Sequence, residues 1–367
     1  MKKILQLLLT YTLFFSPIVE AMNVTFINPG KPGERFWDMV TETMKAAADD
    51  FDINLEVIYA ERNRIKMTSI GLQVTSRSTP PDYLILVNEE QAAEKIFLSS
   101  KGKNIKTIML LNDFLPKQRT TVGFPGNDNP NLIGAVIPDN YAAGRRMMNA
   151  LYQCAKKDSA KAPYHMLAIG GDQITPASID RNKGALSVIS EHQDIVLDRF
   201  LYANWNQQES TKLTQNYLNW ASKNNIHPSA IWAANDPIAF GAKEAITANE
   251  TKDNNICLVG LNWSAQGLKM VQDDEMLLTD GGHFLAGAWS MVLLHDYHQR
   301  SISGDTRAPG SINFQMQSID KTNINQYVKN LGDENWGKIN FRGFSLQPTT
   351  SYSEYDFSLK NVFAQIQ

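Results

Sequence analysis

The run Ala230–Ile246, AIWAANDPIAFGAKEAI, brings an apolar segment up against polar side chains at a single point. Ile231-Trp232-Ala233-Ala234 reads as a buried strand. Asn235-Asp236 follows at its carboxyl end, with Asp236 expected as the N-cap and Pro237 at the first helical position. Ile238, Ala239, Ala242, Ala245 and Ile246 then recur at helical spacing. Asn235 thus stands at a strand-to-helix junction, where open parallel sheets bind small molecules. Alone, such an asparagine reads first as a turn residue. The other proposed strand ends carry the same kinds of side chain. Arg35-Phe36-Trp37 come after the first strand, Asn88-Glu89 end the third, and Asn112-Asp113 end the fourth. In the second half, Arg181 follows Gly170-Gly171-Asp172, and Asn204-Trp205, Asn262-Trp263 and Gly281-Gly282-His283 close later strands.

Aromatic faces beside Asn, Asp and Arg suit a polyhydroxylated ligand. Sugar C–H faces stack on rings, and hydroxyls pair with planar, multivalent donors and acceptors. The candidate contacts are Phe36, Trp37, Asn112, Arg181, Trp205, Asn235, Asn262 and His283. Structural roles stay open for several of them: Phe36 or Trp37 in a core, Arg181 in a surface ion pair, His283 in a hinge. Trp263 reads equally as a plug between lobes. Trp205, flanked by Asn204 and Asn206, reads better as a cleft residue. Catalysis is not expected, because neither a Gly-x-Ser-x-Gly elbow nor a His-Glu-x-x-His helix is present. Gly30-Lys31-Pro32-Gly33 fits neither a dinucleotide loop nor a P-loop. No cofactor and no metal are expected.

The elements that position these residues alternate. Strands are expected at 24–28, 53–59, 83–88 and 107–111, with helices at 34–49, 65–75 and 90–98 between them. A polar interval, Pro116 to Asn131, reads as an exposed loop, followed by a strand to Ile137 and a helix from Asn140 to Ala155. A second alternation runs from Met166 to Thr279, with helices from Arg181, Gln208, Asp236 and Ala265, and a long helix covers Gly287–Gln299. The predicted fold is therefore α/β, two doubly wound parallel-sheet lobes facing across a cleft. After Asn335 the chain turns polar and irregular but carries Trp336, Phe341, Phe344, Tyr352, Tyr355 and Phe357. No role is assigned to that extension.

The chain has 367 residues, enough for two full cores, and a net charge of −3, which offers no surface for nucleic acid. Met1-Lys2-Lys3, an apolar stretch from Ile4 to Val19, and Ala21 predict a cleaved export signal over 1–21 and no membrane span in the mature chain. Cys154 and Cys257 are the only cysteines; both read as packing residues, with a single bridge possible.

At the ligand candidates the chain resembles the type I periplasmic solute-binding proteins, the ribose- and galactose-binding group, which share their fold with lac-repressor-type effector domains. The resemblance rests on Asp139-Asn140-Tyr141-Ala142-Ala143-Gly144, Arg181-Asn182-Lys183-Gly184, Trp205, Ala233-Ala234-Asn235-Asp236, Val259-Gly260-Leu261-Asn262 and Phe36-Trp37. It covers roughly 24–331. It implies three crossovers, near Ile137, Gly282 and Gly310, giving a first lobe of 22–137 plus 283–310 and a second of 138–282 plus 311–334, with 335–367 as an extension. It further implies a periplasmic monomer that closes on a sugar-like ligand and is read by a membrane partner, either an ABC permease or a sensor. A transcription regulator is not expected, since the signal leaves no room for a helix-turn-helix. Asn112-Asp113 and Asn262 depart from the Asp-Arg and Asp of pentose-binding members, which argues against ribose itself.

Overall fold

The computed structural model of the chain describes residues 22–126, 128–158, 162–249 and 255–367. The expected export signal, 1–21, lies outside the described residues. The first run of elements is β1 (Asn23–Asn28), α1 (Arg35–Asp50), β2 (Asn54–Tyr59), α2 (Arg64–Thr75), β3 (Tyr83–Leu86), α3 (Ala93–Ser100), β4 (Lys106–Leu110), α4 (Pro116–Val122) and β5 (Leu132–Pro138). The second is α5 (Asn140–Asp158), β6 (Tyr164–Gly170), α6 (Pro176–Glu191), β7 (Ile195–Tyr202), α7 (Gln207–Lys223), β8 (Pro228–Ala233), α8 (Asp236–Ala248), β9 (Cys257–Leu261), α9 (Ala265–Gln272) and β10 (Leu278–Gly281). There follow α10 (Ala286–Ile302), β11 (Gly310–Phe314), β12 (Gln317–Asp320), α11 (Ile324–Leu331) and α12 (Leu359–Ala364).

Two six-stranded sheets result, in the orders β11-β5-β4-β3-β1-β2 and β12-β10-β9-β8-β6-β7. Every pairing is parallel except β10 with β12. Parallel strands covered on both faces must be apolar throughout, and β3 (YLIL) and β9 (CLVGL) are buried at every position. Helix starts carry side-chain caps: Asn63 Oδ1 accepts from Lys66 N–H, Asn206 Oδ1 from Glu209 N–H, and Ser264 Oγ from Gly267 N–H. In each sheet the chain order reverses beside the first strand, between β1 and β3 and between β6 and β8. That reversal opens a crevice at the strand carboxyl ends.

Several sequence expectations change. The interval 116–131 is not all exposed loop. Pro116 starts α4, and Gln118 is buried because its Oε1 accepts from both Asn88 Nδ2 and Leu115 N–H. Helix α6 begins at Pro176 rather than Arg181, so Arg181 lies in its second turn. The third crossover lies at Gln315–Met316, not near Gly310. Strand β11 pairs in parallel with β5 as far as Phe314 and covers that otherwise open edge. The other two connections run from Pro138 to Asn140 and through a 3-10 turn at His283–Leu285. Gly282 is required there: its φ is +91°, and a Cβ would lie 2.8 Å from the Trp263 ring. Trp263 is the plug at this joint, buried between Tyr327 and Phe284.

The extension is structured. Helix α11 packs on α9 and β12 in the second lobe, whereas Trp336 and Phe341 pack on α1 in the first, so the chain crosses a fourth time near Glu334. Arg35 pairs with Glu334 at 2.7 Å, Trp336 Nε1 donates to Glu42, and Phe341 N–H donates to Asp50. Phe357 stacks on Trp289 of α10 with centroids 4.5 Å apart. The aromatics that looked unassigned are the cover of α1 and α10.

Cys154 and Cys257 form a disulfide joining α5 to β9. The bridge that the sequence left open is formed, and the pair closes a loop with a separation of 103 residues. Reduction, or serine at both positions, should cost about 2–4 kcal/mol of stability and lower Tm; an unchanged Tm would contradict a structural role. Phe341→Ala should cost about 3–5 kcal/mol in urea unfolding, as for any fully buried phenylalanine. A loss under about 1 kcal/mol would show that the extension is not part of the first lobe's core.

Candidate ligand-binding cleft

The carboxyl ends of the strands hold a cluster of non-glycine residues in the left-handed region. They are Glu61 and Arg62 after β2, Glu90 and Gln91 after β3, Leu111 after β4, Asn204 and Trp205 after β7, and Trp263 after β9. Each such residue costs on the order of 1–3 kcal/mol and persists only where its surroundings hold it. Of these, Arg62, Leu111 and Trp205 line one cavity of about 160 Å³ between the lobes, together with neighbours such as Glu89, Asn262 and Ser264.

All eight sequence candidates line that cavity: Phe36, Trp37, Asn112, Arg181, Trp205, Asn235, Asn262 and His283. From the first lobe, the half-buried Phe36 ring stacks on His283 at 4.5 Å, and Trp37 meets Phe36 edge-on at 5.1 Å. Asn28 holds the β1–α1 turn beneath them, its Oδ1 accepting from Gly30 N–H and its Nδ2 donating to Thr41. Asn112 Oδ1 accepts from Ala177 N–H at 2.9 Å, a direct hydrogen bond between lobes to a free donor in the first turn of α6.

From the second lobe, Arg181 is buried, Nη1 donating to the Ala234 carbonyl at 2.5 Å and Nη2 to Asn140 Oδ1 at 2.7 Å. Among the described residues, no carboxylate hydrogen-bonds it. Burial lowers its pKa to about 10, opposed by the charge of Asp280, which is itself held by Arg146. Arg181 also lies 5.7 Å from the Trp205 ring centre. Trp205 Nε1 donates to Asp172 Oδ2 at 2.7 Å, and the ring lies so close to Gly171 that any Cβ there would clash at 2.3 Å. His283 is held well below its ordinary pKa by burial and by the charge of Arg181, so it is neutral.

Asn235, not Asp236, caps α8: its Oδ1 accepts from Ile238 N–H at 3.0 Å, and its NH2 has no acceptor among the described residues. Asp236 turns inward instead. Its Oδ1 accepts from Thr279, and its Oδ2 accepts from the Ser264 hydroxyl and N–H. It therefore ties the Asn235 corner to the loop carrying Asn262 and Ser264. The sequence reading passed over Arg62, Glu34 and Asn140 as site residues, although all three line the cavity. Arg62 was findable by the same rule, since it follows the β2 carboxyl end.

The chain belongs to the family of the periplasmic binding protein domain, whose model matches residues 24–299. Among solved structures it is similar to a periplasmic sugar-binding protein from Pseudomonas fluorescens, at 29% identity and a TM-score of 0.80, covering 93% of this chain and 99% of that one. It also matches the Caulobacter myo-inositol binding protein, at 20% identity and TM-score 0.68, covering 85% and 97% of the two chains. A third match is the binding protein of the arabinose ABC transporter from Shewanella sp. ANA-3, at 17% and 0.70, covering 85% and 96%. These last two show the fold alone. No curated protein matches.

Burial raises the Asp236 pKa to about 6. A raised folded-state value adds stability below the unfolded value and loses it as pH rises. The advantage of wild type over Asp236→Asn should therefore shrink between about pH 4 and about pH 6 and stay constant above. Melting curves across that range check this, and a gap that does not change with pH would contradict it. By family, fold and site geometry, this chain is a periplasmic binding protein domain with a polar, aromatic-walled cleft between its lobes.

Proposed function

We propose that this chain captures a small, neutral sugar or sugar-like polyol in the periplasm by hinge closure and delivers it to an ABC importer. The observation that carries the reading is the composition of the cavity. Aromatic rings (Phe36, Trp37, Trp205) and planar amides (Asn112, Asn140, Asn235, Asn262) from both lobes converge on one buried guanidinium. Rings stack on sugar C–H faces, amides offer a donor and an acceptor each, and Arg181 supplies charge-assisted donors to hydroxyl oxygens. The relatives support it: one is a periplasmic sugar-binding protein, and others are described with myo-inositol or arabinofuranose.

Closure follows from the division of labour between lobes. A ligand touching both lobes favours the closed state only by its extra contacts there. The Asn112–Ala177 hydrogen bond between the lobes would favour that state. A single ligand with affinity for both walls shifts the population further, and the closed form is what a permease would recognise. The reading places the mature chain in the periplasm as a monomer.

The test is a thermal-shift and tryptophan-fluorescence panel of monosaccharides and polyols on the chain from Met22. A true ligand at ~100-fold excess over Kd should add about 2.7 kcal/mol of apparent stability. Arg181→Ala or Asn235→Ala should abolish that shift. If amino acids stabilise the protein and no sugar does, the sugar assignment fails.

A further inference from the structure

The cavity carries a second guanidinium that this reading leaves without a task. Arg62 lies 5.7 Å from the Trp37 ring centre, as Arg181 lies 5.7 Å from that of Trp205 in the other lobe. The two arginines differ in their partners. Arg181 meets only neutral acceptors, whereas Arg62 Nε donates to Glu34 and Arg62 Nη1 donates to Glu89 Oε1 at 2.5 Å. Among the described residues, none donates a hydrogen bond to the second oxygen of Glu89. Glu89 lines both the inner cavity and a compartment of about 380 Å³ that shares Glu34, Arg62 and Trp205 with it.

Three features single Glu89 out. The loop that carries it is held in a costly conformation, with Glu90 at φ 44° and Gln91 at φ 61°. The side chain stays partly screened from solvent, at 14% exposure. Polar atoms in the same cavity, Trp37 Nε1 and His283 Nδ1, are buried without a protein partner in residues at least nine-tenths buried. The polar inventory of the cavity is therefore not closed by the protein itself. The other acceptors on its walls are mostly neutral amides, and a carboxylate accepts from a hydroxyl roughly twice as strongly.

The charged groups around Glu89 are Lys31, Glu34, Arg62, Arg64 and Glu90 from its own lobe and Asp172 from the other. A ligand acid arriving at this end meets four carboxylates, Glu34, Glu89, Glu90 and Asp172, against three cations, of which Arg62 is already paired. Neutral hydroxyls meet an available acceptor.

We propose that Glu89 is a further ligand-binding residue, whose free oxygen accepts hydrogen bonds from hydroxyls of the bound polyol and whose carboxylate neighbours exclude ligands carrying an acid at that end. The proposal rests on the sugar-binding reading above. Burial, opposed by Arg62, pushes the Glu89 pKa up to about 7. Hydroxyl donation favours the ionised form, so ligand binding expels the proton. Affinity then rises with pH through that value and levels off above it. Neutral His283 does not titrate in this window, because burial and Arg181 hold it well below its ordinary range, and Asp236, raised to about 6, is held by Ser264 and Thr279 outside the cavity lining.

The experiment is calorimetric titration of the mature chain with D-galactose, L-arabinose, D-allose and myo-inositol at about pH 5.5 and about pH 8, repeated with D-galacturonate beside D-galactose. The expected result is about tenfold or more tighter binding of the best neutral probe at the higher pH, and weaker binding of the acid than of its neutral counterpart. Glu89→Gln should weaken binding at the higher pH and erase the pH dependence without lowering Tm. Should that variant fail to fold, the wild-type pH series and the acid–neutral pair still decide. A probe that binds wild type equally at both pH values overturns the role of Glu89 and leaves the sugar reading standing. If no probe binds wild type at either pH, the sugar reading falls and the Glu89 assignment falls with it.

Discussion

A guanidinium buried with no carboxylate against it is an expensive group, and the cleft is arranged around one. Arg181 spends its hydrogen bonds on a carbonyl at the end of β8 and on Asn140 at the start of α5. These partners hold α6, β8 and the first crossover together, so a single side chain defines the floor of the second lobe's wall. Its nearest compensating charge, Asp280, is already taken by Arg146 in a two-point pair and by Ser318. Removing one partner of a buried charge is far worse than never burying it. Oxygen atoms of a bound polyol would complete the coordination of Arg181, and the gain is largest when both lobes enclose it and exclude water.

Parallel sheets with a chain reversal in each explain why so many functional side chains arrive together. Strand carboxyl ends of both lobes face one another, and the loops leaving them bear left-handed residues that only a tight setting tolerates. That geometry was legible from sequence. An apolar run ending in Asn235, or an aromatic after a polar turn at Trp205, signals a strand end with a side chain to present. Arg62 escaped although the strand end at Tyr59 is legible, because it stands three residues past it in a charged turn, Glu61-Arg62-Asn63, that reads as solvated. Asn235 and Asp236 exchanged roles for a tertiary reason: Thr279 and Ser264, distant in sequence, draw the aspartate inward and leave the asparagine to cap.

The edges and the joint were not legible. Strands β11 and β12 are four or five residues long and half-exposed, and their identity comes from the neighbours they pair with. The fate of two cysteines 103 residues apart depends on helix α5 crossing over β9. The extension is the largest surprise. Its aromatics are spaced irregularly, because they fill gaps along two helices rather than forming a face of their own. Through Glu334 and Trp336 it adds a fourth passage between lobes, beside the aromatic chain Tyr327–Trp263–Phe284–Trp336. Any bending at this joint would have to carry four segments and the packed rings with it.

The central claim is that the cleft binds a neutral polyol. Native mass spectrometry of the protein taken directly from the periplasm of its own cells, followed by identification of the released small molecule, tests it without any choice of ligand panel. The account predicts one bound neutral sugar or cyclitol per chain, lost in Arg181→Ala. A bound amino acid, peptide or acidic metabolite, retained in that variant, would contradict it.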